Sequence, residues 1–192
     1  MKQDIILAGV GGQGILSIAY VIDNAALADG LFFKQAEVHG MAQRGGAVQS
    51  HMRIADSPVW SDLIPKGGAD MVLSVEPLEA VRYLDFLAPD GIVVSSSTPY
   101  RNIADYPEIE LVLEAVRRAP RRVLVDSEKL AKEAGTVKAQ NIVLLGAASS
   151  FLILKEASLV ATIEDLFRGR GNAVLEANLK AFELGKQAAL GT

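Results

Sequence analysis

Two short stretches of this sequence hold residue types whose spacing suits chemistry. The first is Gly9-Val10-Gly11-Gly12-Gln13-Gly14, a G-x-G-x-x-G pattern set between an apolar run and an amphipathic one. Glycines so placed let a backbone pass close to phosphate oxygens, while the first turn of the following helix offers unpaired amides and a partial positive charge. The same glycines would also serve a tight strand-to-helix turn with no ligand. As a sign of NAD or another dinucleotide the pattern is weaker. Such a site wants an acidic residue at the end of the second strand, roughly 20 residues on; Asp29 precedes that strand and Glu37 falls late.

The second stretch is denser: Glu37-Val38-His39-Gly40-Met41-Ala42-Gln43-Arg44-Gly45-Gly46, running on into Ala47 to Arg53. It contains both histidines of the chain, His39 and His51. An acid, a histidine, an amide, an arginine and three glycines are better suited to gripping an anion or a partner than to joining strands economically. Arg44 would clamp a phosphate or carboxylate bidentately, with Gly45 and Gly46 keeping nearby amides open. The plainer reading is a solvated loop in which Glu37 pairs with Arg44. A two-histidine metal site lacks a third ligand at suitable spacing. Glu76 either reaches the crevice at a sheet's carboxyl edge or is a helix-start carboxylate. Spacing reveals no Ser/His/Asp triad, Walker sequence or close carboxylate pair.

The elements that must position these residues follow an α/β pattern. Asp4 to Ala8 reads as a buried strand, Gly9 to Gly14 as a turn and Ile15 to Ala28 as a helix. Leu31 to Ala36 and Ala47 to Ile54 read as strands, the latter alternating Val48, Ser50, Met52 and Ile54 against Gln49, His51 and Arg53. The ten residues from Glu37 to Gly46 are too few for a parallel crossover, so these two strands are expected to be antiparallel or in different layers. Pro58 to Leu63 adds an expected short edge strand. Met71 to Val75, a helix from Pro77 to Leu87 ended by Pro89-Asp90-Gly91, and Ile92 to Ser95 form a right-handed βαβ unit. Glu108 to Arg118 is expected to be helical, Arg122 to Val125 the last strand, and Ser127 to Ala134 a short helix capped by Ser127 or Asp126. Asn141 to Leu154, Ile163 to Phe167 and Ala173 to Ala189 make a helical tail. The expected fold is α/β, a Rossmann-like layered arrangement with a mixed, mostly parallel sheet and a helical C-terminal segment, in one domain spanning 1–192.

Composition narrows the function classes. With 192 residues, 50% hydrophobic and 22% charged, the chain can build its own core. A formal charge of -4 argues against a nucleic-acid binder. Zero cysteines exclude iron–sulfur clusters, Cys-ligated zinc and thiol catalysis held by this chain, and suit a reducing setting. The N-terminus lacks the features of a signal peptide, and the apolar run Ile142 to Leu154 is too short to span a bilayer, so a cytoplasmic location is expected.

Read in order, the glycine turn, the Glu37 to Arg53 block, Leu63-Ile64-Pro65, Ala69-Asp70, Glu76-Pro77-Leu78-Glu79-Ala80 and Asn141-Ile142-Val143-Leu144-Leu145-Gly146-Ala147 carry a resemblance to a known family. The sequence resembles the gamma-type domain of 2-oxoacid:ferredoxin oxidoreductases, and within it the small-subunit branch that serves indolepyruvate. The resemblance implies a heteromeric enzyme that oxidatively decarboxylates aryl 2-oxoacids to aryl-acetyl-CoA and CO2 and passes electrons to ferredoxin. It implies that a large partner subunit holds thiamine diphosphate, Mg and iron–sulfur clusters, that coenzyme A is co-substrate, and that this chain holds no cofactor alone. It assigns no catalytic or metal residue here. The expected ligand-facing residues are Gly9, Gly11, Gly12, Gln13 and Gly14 with Glu37, His39, Gly40, Gln43, Arg44, Gly45 and Gly46, Arg44 being the anion clamp. Whether they meet coenzyme A, thiamine diphosphate or only the partner subunit stays open. So do a 2-oxoglutarate or branched-chain 2-oxoacid specificity, a free-standing NAD or nucleotide-binding protein, and a purely structural partner.

Overall fold

A computed structural model describes residues 1–39 and 45–191. At its centre lies a six-stranded sheet in the order β2-β3-β1-β4-β5-β6. In chain order the described elements are β1 (Lys2–Val10), α1 (Ile15–Ala28), β2 (Phe32–His39), β3 (Ala47–Ala55), β4 (Ala69–Ser74), α2 (Pro77–Arg82), β5 (Leu87–Ser96), α3 (Ile109–Arg117), β6 (Arg121–Val125), α4 (Ser127–Ala134), α5 (Gln140–Ser149), α6 (Glu156–Phe167) and α7 (Asn172–Leu190). Strands β1, β4, β5 and β6 run parallel, and β3 pairs antiparallel with both β1 and β2. The sheet is mixed because the β2–β3 connection is too short for a crossover.

Alternation along the strands sorts two cores. Ile5 and Leu7, Met71 and Leu73, Ile92 and Val94, and Val123 and Val125 point into the larger one, which α1, α4, α5, α6 and α7 cover. Ile6, Val72 and Val93 point the other way, toward Ala80 of α2 and Val116 of α3. Strands buried on both faces read as continuous apolar runs, which is why β1 and β4 look so uniformly hydrophobic.

On β3 the face opposite the larger core is polar, and this decides the fate of Pro58 to Leu63, expected as an edge strand. It forms none. The Arg53 guanidinium, clamped by the buried Asp4 carboxylate at 2.9 and 3.1 Å, donates to the carbonyls of Ser61 and Leu63, both at 3.1 Å. His51 Nδ1 accepts from the Ile64 amide at 3.0 Å. Side chains thus take the hydrogen bonds a strand partner would have made, leaving the segment irregular and Trp60 89% exposed.

Other boundaries differ from expectation for local reasons. The helix after Pro77 stops at Arg82, followed by a 3-10 turn at Leu84–Phe86, and Pro89 to Gly91 lie within β5. Gly91 passes so close to β4 that an added Cβ would sit 2.8 Å from the Ala69 carbonyl oxygen. Helix α5 ends at Ser149 rather than running to Leu154, and the next residues turn, pinned by Gln3: its Nε2 donates to the Phe151 carbonyl at 2.7 Å and its Oε1 accepts from the Ile153 amide at 3.0 Å. Helix α6 accordingly starts at Glu156, earlier than expected. Helices α5 and α7 cross in backbone contact at Gly146 and Gly185, where an added Cβ would lie 2.0 Å from the Phe182 carbonyl oxygen and 1.8 Å from that of Val143. No described helix is long and apolar enough to cross a membrane.

Candidate functional site

Parallel neighbours β1 and β4 send their chains to opposite faces of the sheet, β1 into α1 on the larger core and β4 into α2 on the smaller. The gap outside their carboxyl ends is therefore a topological switch point, where open α/β sheets bind ligands. The glycine turn stands at this gap. Gln13 closes it on itself, its Oε1 accepting from the Val10 amide at 2.8 Å and its amide donating to the Val10 carbonyl at 3.0 Å. Gly12 and Gly14 have φ of 101° and 81°, a backbone region that side chains disfavour. Among the described residues, the amides of Gly12, Gly14, Ile15 and Leu16 have no acceptor, as the start of a helix leaves them. Gly9 serves packing instead, since an added Cβ would lie 2.6 Å from Ile15 Cδ1 and its bareness seats the first turn of α1.

The second glycine-rich segment meets the first. The Gly11 amide donates to the Gly46 carbonyl at 2.8 Å, and the Gly45 amide to the Gly11 carbonyl at 3.3 Å. Glu37 and His39 belong to strand β2, not to a loop, with Glu37 across from Ser50 and His39 across from Val48. Gln35 Nε2 donates to Glu37 Oε2 at 3.2 Å and to Ser50 Oγ at 2.9 Å. Gly40, Gln43 and Arg44 lie outside the described residues, and with them the expected anion clamp.

Beside the turn opens a cleft of about 840 Å³, whose lining includes Gly12, Gln13 and Gly14. The rest of its wall comes from residues far along the chain. Thr98, Pro99 and Tyr100 follow β5, Thr136, Val137, Lys138, Gln140 and Asn141 lie around the start of α5, and Arg170 with Ala173, Val174, Ala177 and Asn178 belongs to the approach and first half of α7. Asn141 ties one wall to the other by donating to the Gly14 carbonyl at 3.1 Å. Lys138 and Arg170 supply cationic groups, and Glu128 one carboxylate. Unpaired amides, cations and small apolar residues together suit an elongated ligand bearing phosphate groups. Glu37 is not part of this lining.

Several polar residues singled out in the sequence have structural partners instead. Asp29, at the far end of α1, accepts from the Lys155 amide at 2.7 Å and from Ser158 Oγ at 2.6 Å, so it is not a ribose-binding acid. The strand beside β1 on that flank is antiparallel β3, where a dinucleotide fold places a parallel strand. His51 is buried edge-on to Phe86, their ring centroids 5.4 Å apart, and burial pushes its pKa down. Along the β2–β3 ladder His39 pairs with Val48 and Ala36 with His51, so the two histidines occupy separate register positions. Among the described residues no three His, Asp or Glu side chains gather as a metal site. Glu76, 1% exposed, caps α2 by accepting from the Glu79 amide at 2.8 Å, which agrees with the helix-start reading.

Comparison with known proteins gives a consistent picture. Residues 4–188 match the family described as Pyruvate ferredoxin/flavodoxin oxidoreductase. The chain is 35% identical to Indolepyruvate oxidoreductase subunit IorB of Archaeoglobus fulgidus over 99% of this chain and 96% of that one. It is 37% identical to the subunit of the same name from Pyrococcus horikoshii over 98% and 97% of the respective chains. In fold it is similar to the gamma subunit of keto/oxoacid ferredoxin oxidoreductase from Geobacter sulfurreducens, with a TM-score of 0.72 and 25% identity over 99% of each chain. A 2-oxoglutarate:ferredoxin oxidoreductase from Magnetococcus marinus matches with a TM-score of 0.80 and 23% identity, over 100% of this chain and 31% of that one.

Proposed function

This chain belongs to the pyruvate ferredoxin/flavodoxin oxidoreductase family, and on that premise we propose that it is the small subunit of an arylpyruvate:ferredoxin oxidoreductase of the indolepyruvate type. The observation that carries the reading is the near full-length likeness, 34–37% identical, to subunits named for indolepyruvate oxidoreductase. Relatives named for pyruvate/ketoisovalerate and 2-oxoglutarate enzymes are less similar, at 30% and 28%. The reaction converts an aryl 2-oxoacid and coenzyme A to CO2, a proton and the aryl-acetyl thioester, with an electron pair passing to ferredoxin.

A chain with no cysteine cannot hold an iron–sulfur cluster, and among the described residues no carboxylate or imidazole trio offers a Mg site. The resemblance implies that a large subunit holds thiamine diphosphate with its Mg and the clusters, which would supply the decarboxylation and electron-transfer chemistry, and the composition of this chain agrees with that division. The contribution of this chain is its cleft. The amides of Gly12, Gly14, Ile15 and Leu16 and the cations Lys138 and Arg170 fit the phosphates of coenzyme A. Gly45 and Gly46, paired to Gly11, bring the start of β3 to the same end of the sheet as the glycine turn. A bound co-substrate would be oriented there and shielded from water.

The test is anaerobic co-purification with the large subunit, followed by coenzyme A-dependent reduction of ferredoxin. The complex should turn over indolepyruvate in preference to 2-oxoglutarate; the opposite preference sinks the arylpyruvate assignment. Lys138→Ala and Arg170→Ala should each raise the KM for coenzyme A about tenfold, as expected for loss of a charge-assisted contact. If both leave that KM unchanged, coenzyme A does not occupy the cleft.

A further inference from the structure

The connection from β5 to α3, residues 97–108, has no regular structure, yet it carries Thr98, Pro99 and Tyr100 into the cleft wall. Irregular connections of this length are where conformational multiplicity normally resides. This one is tied at three levels. At its base the Ser97 amide donates to the Val125 carbonyl at 2.9 Å, and Thr98 Oγ1 to Asp126 Oδ1 at 3.2 Å. Further along, Asn102 Nδ2 donates to the Gly45 carbonyl at 2.7 Å, linking the loop to the second glycine-rich segment. Between these ties stands Glu76, whose Oε1 accepts from the Tyr100 amide at 3.3 Å and from the Tyr106 hydroxyl at 2.5 Å.

The two oxygens of Glu76 divide the work. Oε2 caps α2 through the Glu79 amide, a role that a shorter Ser or Asp fills at many helix starts. The cap does not explain why Oε1 gathers two donors that both belong to the 97–108 connection. Burial, with help from this carboxylate, raises the Tyr106 phenol above its ordinary range, so Tyr106 stays a donor at working pH. With three donors and 1% exposure, Glu76 is committed to holding the loop and the start of α2.

We propose that Glu76, acting through Oε1 on Tyr100 and Tyr106, is a positioning residue that fixes the Thr98–Tyr100 wall of the cleft and thereby sets the affinity for coenzyme A. The inference rests on the reading of the cleft as the coenzyme A site. Glu76 never touches the ligand; it determines where Tyr100, 48% exposed, stands when the ligand arrives. A neutral amide in its place cannot satisfy all three donors, because its NH2 end would confront a backbone N–H.

The experiment uses the assembled complex with Glu76→Gln and Tyr106→Phe, measured beside Lys138→Ala and Arg170→Ala. Tyr106→Phe removes a single hydroxyl and keeps the aromatic body, so it guards against a result that merely reports misfolding. Both loop variants should raise the KM for coenzyme A about fivefold to tenfold, lower kcat no more than about twofold, and leave the KM for the 2-oxoacid unchanged. If the cation variants raise the coenzyme A KM while both loop variants change only the melting temperature, Glu76 is purely structural and the proposal fails. If the cation variants have no effect either, the placement of coenzyme A in the cleft fails and takes the proposal with it. A fall in kcat with the KM unchanged also overturns it, since that pattern belongs to a group acting only in the transition state.

Discussion

Asp23 provides the sharpest test of the packing. It lies on α1, 8% exposed, and its Oδ1 is buried with no hydrogen-bond partner among the described residues. Burial raises its pKa from 3.8 to about 7. A folded-state pKa above the unfolded one means that the native state holds a proton the unfolded chain has released. Below the unfolded value both states are protonated and Asp23 costs nothing; as pH rises toward the folded value the native state is progressively disfavoured, and above it the loss is complete. At about 1.4 kcal/mol per unit the ceiling is about 4 kcal/mol, and residual solvent contact brings the expected figure to about 2 kcal/mol. Asp23→Asn removes the charge with almost no change of shape. Urea unfolding of wild type and variant across this range should show the smallest difference near pH 3 and, relative to that, a variant advantage of about 2 kcal/mol at pH 8. Taking the difference cancels every other titrating group. An advantage that does not change with pH would show that the Asp23 carboxyl is not desolvated as described.

Two further substitutions probe other joints. Gly14→Ala combines an unfavourable φ of 81° with a Cβ 2.5 Å from Asn141 Nδ2, and should cost about 2–3 kcal/mol, read as a melting temperature lower by about 5–10 °C; an unchanged value would refute the close approach. Arg53→Met strips the bidentate partner from Asp4, leaving Lys2 Nζ at 2.7 Å as its remaining cation, and should cost about 3 kcal/mol in denaturant unfolding. It should also release the segment around Ser61 and Leu63, so proteolysis there should quicken; no change in either measurement contradicts the role given to Arg53.

Much of the fold is legible in the sequence because local pattern and tertiary demand agree. The alternation of Val48, Ser50, Met52 and Ile54 predicts a one-sided core face for β3, and Val48, Met52 and Ile54 do enter the larger core. The short connection predicts that β2 and β3 are antiparallel or in different layers, and they form an antiparallel ladder. Ser127 to Ala134 is helical with Asp126 Oδ1 accepting from the Lys129 amide, as capping chemistry requires. Pro58 to Leu63 looks like a strand and is not one because its partners are side chains, Lys34 and Arg53 along the segment and His51 at the following Ile64, and no periodicity in the segment records that. The far wall of the cleft is illegible for a similar reason. Asn141 meets Gly14 across 127 residues of sequence, and neither Lys138 nor Arg170 sits in a local pattern that sets it apart from an ordinary surface cation. Only the glycine turn, whose chemistry is local, can be read directly.

The crossing of α5 and α7 bears on how the cleft behaves mechanically. Where two helices meet through side chains, rotamer changes can absorb small sliding movements. At Gly146 and Gly185 there is no such cushion, for backbone rests on backbone. Helix α7 supplies Ala173, Val174, Ala177 and Asn178 to the cleft, so this wall is seated on a stop that resists compression. The opposite wall, Thr98 to Tyr100, is held by hydrogen bonds instead, those accepted by Glu76 and Asp126 among them. The two walls are thus held by different means, one by backbone packing and the other by a buried carboxylate, so a substitution at Gly146 or Gly185 and one at Glu76 would disturb opposite sides of the cleft.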